Sequence, residues 1–182
     1  MISNYKKKKF EIIIFSILLL LPIFIDSYYL DNISYFMCWT FISLGLAVIW
    51  GMGGILSFGQ TAFFGLAGYA FSVISINFLG IAGVSIWSVV LSLIITGIFG
   101  MIVGYFLFYG GIYDVFIGIV TLAITLVLET FMQQTAGPEY AIGSARLNGF
   151  NGMQGMPTIG FESLQFGLLE GVTQYYFILL LA

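Results

Sequence analysis

GMGGILSFGQTAFFGLAGYAFS, residues 51–72, is long and apolar enough to enter a bilayer, yet it carries glycines, hydroxyls and one amide that lipid does not require. On a continuous helix Gly54, Ser57, Thr61, Gly65, Gly68 and Ser72 recur at steps of three or four, forming a single stripe of small side chains. Such a stripe either lets a second helix approach closely or leaves room for something to pass. Gln60 lies beside it, with an amide that needs partners in a dry environment.

The rest of the chain sets this stretch in a membrane. Of 182 residues, 60% are hydrophobic and 7% charged, and the mean hydropathy is +1.09, far from a soluble domain. The apolar residues come in long runs without the two-residue alternation of a barrel, so the expected fold is all-α, a polytopic transmembrane helix bundle. The runs 10–25, 33–50, 55–78, 86–109 and 115–132 give about five helices within residues 10–132, the third following a turn at Gly51, Gly53 and Gly54.

Lys6, Lys7, Lys8 and Lys9 precede the first run, which makes residues 1–9 a cytoplasmic basic N-terminus by the positive-inside tendency. A secretory signal peptide is the competing reading, but FIDSYYLDN, residues 24–32, offers no small-residue cleavage site. Residues 133–171, with Pro138, Pro157 and many glycines, are too polar and broken to span. Counting five spans makes this Gly-rich loop extracytoplasmic; a re-entrant 55–78 would turn it to the cytoplasm. VTQYYFILLLA, residues 172–182, opens a further transmembrane helix, so the sequence reads as truncated in its sixth span.

Two more helices carry patterns. Gly97, Gly100 and Gly104 place a small-residue packing face on the fourth, beside Gly54, Gly65 and Gly68 of the stripe. On the fifth, Asp114, Gly118, Thr121, Thr125 and Glu129 are spaced four, three, four and four, one narrow polar face. That face turns either to a bundle interior or wet cavity, or its acids are hydrated at the two interfaces while threonine bonds its own backbone.

Covalent chemistry finds no footing. Histidine is absent and Cys38 is the only cysteine, which removes haem, most zinc sites and an internal disulfide. No phosphate-binding glycine loop and no carboxylate pair set for acid–base work occur, so neither cofactor nor metal is expected and the chain is not read as an enzyme. Eight acidic and five basic residues, net −3, say little about partners because they are spread along spans and loops; no nucleic-acid partner is expected.

Three segments carry a resemblance. LGLAVIWGMGGILSFGQTAFFGLAGYA (Leu44 to Ala70), VFIGIVTLAITLVLE (Val115 to Glu129) and NGFNGMQGMP (Asn148 to Pro157) occur in the order in which permease subunits of branched-chain amino acid ABC importers, of the LivM type, carry similar motifs. Gln60 stands where that family commonly has histidine, and Asp114 where many members have a small or basic residue. The resemblance implies a permease of an ATP-driven importer in a bacterial-type inner, or plasma, membrane. Its implied partners are a second permease subunit, two ABC ATPase subunits that hydrolyse the ATP, and an extracytoplasmic solute-binding protein. Ser57, Gln60, Thr61, Thr121, Thr125 and Glu129 become pathway or gate candidates, and Asn148, Gly149, Asn151, Gly152 and Pro157 docking candidates in the loop. Urea, amides or another small solute are the alternative cargo. A structural or assembly protein whose stripes serve packing alone is the alternative of a different class, and a channel a third.

Overall fold

The computed structural model describes residues 2–113, 115–157, 160–161, 164–165 and 172–181. Among these residues six helices follow one another: α1 (Ile2–Phe24), α2 (Ser27–Gly53), α3 (Gln60–Asn77), α4 (Val84–Tyr109), α5 (Val115–Gln133) and α6 (Val172–Leu181). Between α5 and α6 lie two antiparallel ladders, β1 (Ala141–Ile142) with β2 (Ala145–Arg146) and β3 (Gly160–Phe161) with β4 (Leu164–Gln165), and one 3₁₀ turn at Gly149–Asn151. Among the described residues, α2, α4 and α5 are long and apolar enough to cross a membrane.

Several helices begin earlier than their apolar runs. α1 and α2 start at Ile2 and Ser27 rather than at residues 10 and 33, because lysine, tyrosine and asparagine continue a helix at a wet end that hydropathy alone does not mark. The third helix departs in the opposite sense. It starts at Gln60 rather than at residue 55, and residues 54–59 are not helical. α2 stops because Gly54 takes φ +67°, with its N–H bonded to the Trp50 carbonyl at 3.0 Å, the left-handed stop that glycine supplies without a Cβ penalty.

The chain divides within α2 into two compact units, Met1–Phe41 with Gly167–Ala182, and Ile42–Phe166. In the first, Leu30, Tyr175 and Leu179 form the buried centre, with Leu18, Leu21, Ile25, Ile33 and Met37 against it. Pro22 has no N–H to give the carbonyl four residues back, Leu18. The Tyr175 hydroxyl donates to that carbonyl at 2.7 Å, and Tyr176 donates to Leu19 at 3.0 Å. The carbonyl that Pro22 leaves open is thus satisfied by a side chain from α6.

In the second unit α4 packs chiefly on α3. The buried residues of the two helices are mostly small: Ala62, Ser72 and Ser75 on α3, and Ser85, Ser88 and Ser92 on α4, with Leu107 near the far end of α4. Ser88 and Ser92 return their hydroxyls to the Val84 and Val89 carbonyls at 2.7 and 2.8 Å, so they can be buried without orphaned donors. The Phe63 and Phe99 rings meet edge to face at 5.8 Å. The outward faces of α4 and α5 are apolar and exposed, with Leu93, Met101, Phe106, Phe116 and Val127 among them.

Candidate functional site

The site is built on the break between α2 and α3. Non-helical backbone inside a membrane persists only where its N–H and C=O groups find partners within the protein. Thr121 Oγ1 on α5 accepts the Phe58 N–H at 3.0 Å, and Thr125 Oγ1, one turn on, donates to the Phe58 carbonyl at 3.2 Å. Thr121 also donates to the Gly118 carbonyl at 3.0 Å, and the single Thr125 hydroxyl hydrogen is shared between Phe58 and the Thr121 carbonyl at 2.9 Å. Ser57, buried, accepts the Gly59 N–H at 3.3 Å.

Two glycines permit this close approach. A Cβ on Gly118 would lie 3.1 Å from the Leu56 carbonyl oxygen, and one on Gly59 would lie 3.3 Å from both Thr121 Cβ and the Phe63 ring. Thr121 and Thr125 sit about 9 and 15 Å along α5 at 1.5 Å per residue, well inside a helix able to cross the bilayer.

Beyond this break α3 and α5 separate around a cavity of about 410 Å³. α3 contributes Thr61, Ala62, Gly65, Leu66 and Tyr69; α5 contributes Thr125, Leu128, Glu129, Met132 and Gln133. Gly149 and Phe150 of the 3₁₀ turn complete the wall. Among the described residues, Glu129 is the one charged residue of the lining, and Gln133 Nε2 donates to its Oε1 at 3.0 Å. The remaining wall is mostly aliphatic and aromatic, the usual make-up of a small-molecule site with a few placed polar groups.

The segment that carries Gly149 and Phe150 is tied down at several points. Asn77, the last residue of α3, donates through Nδ2 to the Val73 and Ile142 carbonyls, both at 2.8 Å, and its Oδ1 accepts the Ser144 N–H at 2.8 Å. Gly143 between them has φ +63°, and a Cβ there would collide with the Asn77 amide. Ser72 Oγ donates to the Gly68 carbonyl and lies 2.7 Å from Met156 Sδ. Asn148 (φ +64°) and Gly149 (φ +51°) turn the chain onto Ala136 just after α5.

Of the pathway candidates, Thr61, Thr125 and Glu129 line the cavity, while Ser57 and Thr121 belong to the break beneath it. Gln60 points elsewhere: its Oε1 lies 3.4 Å from where a Cβ on Gly45 of α2 would be. The expected packing glycines divide. Gly100 faces Phe63 of α3, Gly65 lines the cavity, and Gly54 is the left-handed turn. Gly68 and Gly97 have open space beside them, and Gly104 meets only Phe108 of its own helix. The buried positions of α3 and α4 are instead mostly serines. Gly149 lines the cavity; Asn148 shapes the turn beside it, and Asn151, Gly152 and Pro157 stay outside the lining. Asp114 lies outside the described residues.

Sequence reasoning missed Tyr69, Gln133 and Phe150 in the lining and Gly59 in the break. Tyr69 lies two turns beyond Thr61 and Gln133 one turn beyond Glu129, so extending each polar face would have found them. Phe150 carries no such signal.

The family model described as the permease component of the branched-chain amino acid transport system matches residues 28–182. No curated protein matches the chain, and no solved structure does.

Proposed function

This chain belongs to the family of branched-chain amino acid transport permeases, and from that premise we propose that it is the permease subunit of an ATP-driven importer of branched-chain or related amino acids. A permease is a multi-pass transport component and not a catalyst, which accords with helices built to meet lipid. The observation that carries the reading is the cavity between α3 and α5, where one carboxylate and a few hydroxyls sit among aliphatic walls.

In this proposal the N-terminus is cytoplasmic in a bacterial-type plasma membrane, and the segment bearing Asn148, Gly149 and Phe150 receives solute from an extracytoplasmic binding protein. A second permease subunit completes the passage, and two ATPase subunits supply the energy. ATP binding there favours one of two bundle arrangements, and the solute moves because its contacts differ between them. The non-helical residues 54–59, held to α5 by two hydroxyls, are where such a change costs fewest backbone bonds.

Deleting the gene in its own cell tests the proposal. ATP-dependent uptake of leucine, isoleucine or valine is expected to be lost and to return with a plasmid-borne copy. Unchanged uptake of all three, with loss of urea or amide uptake, would replace the cargo; unchanged uptake of every solute would leave the structural reading.

A further inference from the structure

We infer that the cavity between α3 and α5 takes its solute by a protonated amine, with Glu129 as the counter-charge that separates amine-bearing solutes from neutral amides. The inference deepens the transport reading and rests on it. Among the described residues, Glu129 is the only charged side chain in the lining, and no basic residue shares the cavity. Gln133 Nε2 donates to Glu129 Oε1 at 3.0 Å. Glu129 is exposed where it lines the cavity, and a carboxylate with no basic residue described beside it attracts a cation.

The wall suits such a solute in its other parts as well. Tyr69 and Phe150 offer aromatic rings to an ammonium group, and Leu66, Leu128 and Met132 offer aliphatic surface to a branched hydrocarbon. A neutral amide would find the same aliphatic surface and nothing that prefers it at Glu129. A carboxylate with no amine would meet like charge there. The volume, about 410 Å³, is that of a small-molecule site.

The test uses the full-length subunit in its assembled transporter. A cysteine placed by Thr61→Cys, or separately by Gly65→Cys, in a Cys38→Ser background reports on the cavity through its rate of modification by a small maleimide, read on this chain by mass spectrometry. 3-Methylbutylamine is expected to slow labelling at least threefold, and 4-methylpentanamide to leave it unchanged. Glu129→Gln is expected to abolish the protection by the amine. Equal protection by the neutral amide, protection that survives Glu129→Gln, or two cysteines that never label would each overturn the inference. Leucine uptake by the same assembly is measured in parallel: no uptake by the parent transporter defeats the transport reading, while the labelling result stands or falls by itself.

Discussion

Phe58 spends both of its backbone polar groups on hydroxyls of α5, and the cost of removing either can be stated. Thr121→Val leaves the Phe58 N–H without its acceptor and is expected to lower stability by about 1–2 kcal/mol, whereas Thr121→Ser keeps the oxygen and costs less. The thermal midpoints of the purified protein in detergent check the order; a valine variant as stable as wild type would remove the bond from the account. Tyr175→Phe is a parallel case, since it strips the donor from the carbonyl that Pro22 leaves open. A loss of about 0.6–1.7 kcal/mol is expected, read in the same assay. The threonine spacing was legible as a polar face; its partner was not, because Phe58 lies 63 residues from Thr121 and no periodicity encodes such a pairing. Gln60 shows another limit: its amide oxygen lies beside Gly45, a position that gave no signal in the sequence.

At the scale of elements, the instructive case is the boundary between α2 and α3. Residues 51–72 satisfy a helical stripe on paper, and the stripe continues through a segment that is not helical, because Gly54 and Ser57 fall on the same numerical steps by coincidence. Only backbone conformation separates them. Gly51 sits in helical backbone with open space around it, so Gly51→Ala is expected to gain about 0.5–1 kcal/mol through helix propensity. Gly54→Ala forces a Cβ into left-handed backbone and is expected to cost about 1–2 kcal/mol. Opposite signs three residues apart in a denaturation series would locate the end of α2; matching signs would move it. Hydropathy marks long helices well: among the described residues, α2, α4 and α5 are long and apolar enough to cross a membrane. It does not mark the seam between α3 and α4, because serines that bond back to their own helix pack as glycines do while looking merely polar in a sequence.

Over the whole molecule, family membership and the apolar exterior of α2, α4 and α5 agree on a multi-pass membrane permease. The all-α architecture and the motif order were readable from the start, since both are written in composition and local sequence. The cavity was not, because its three walls come from segments around residues 61–69, 125–133 and 149–150 that only the fold brings together. We propose that the wall at Gly149 and Phe150 faces the extracytoplasmic side. A cysteine at Ser144, in sealed cells lacking Cys38, is expected to react with an impermeant maleimide added outside, and reaction only after permeabilisation would reverse the orientation.

The central claim is that this subunit, with its partners, carries an aliphatic amino acid across the bilayer at the expense of ATP. Proteoliposomes containing the full-length permeases and their ATPases, supplied with binding protein and radiolabelled leucine, test it most directly. The account predicts ATP-dependent accumulation that disappears when this subunit is omitted; accumulation that persists without it, or no ATP-dependent movement of leucine, isoleucine or valine, would contradict it.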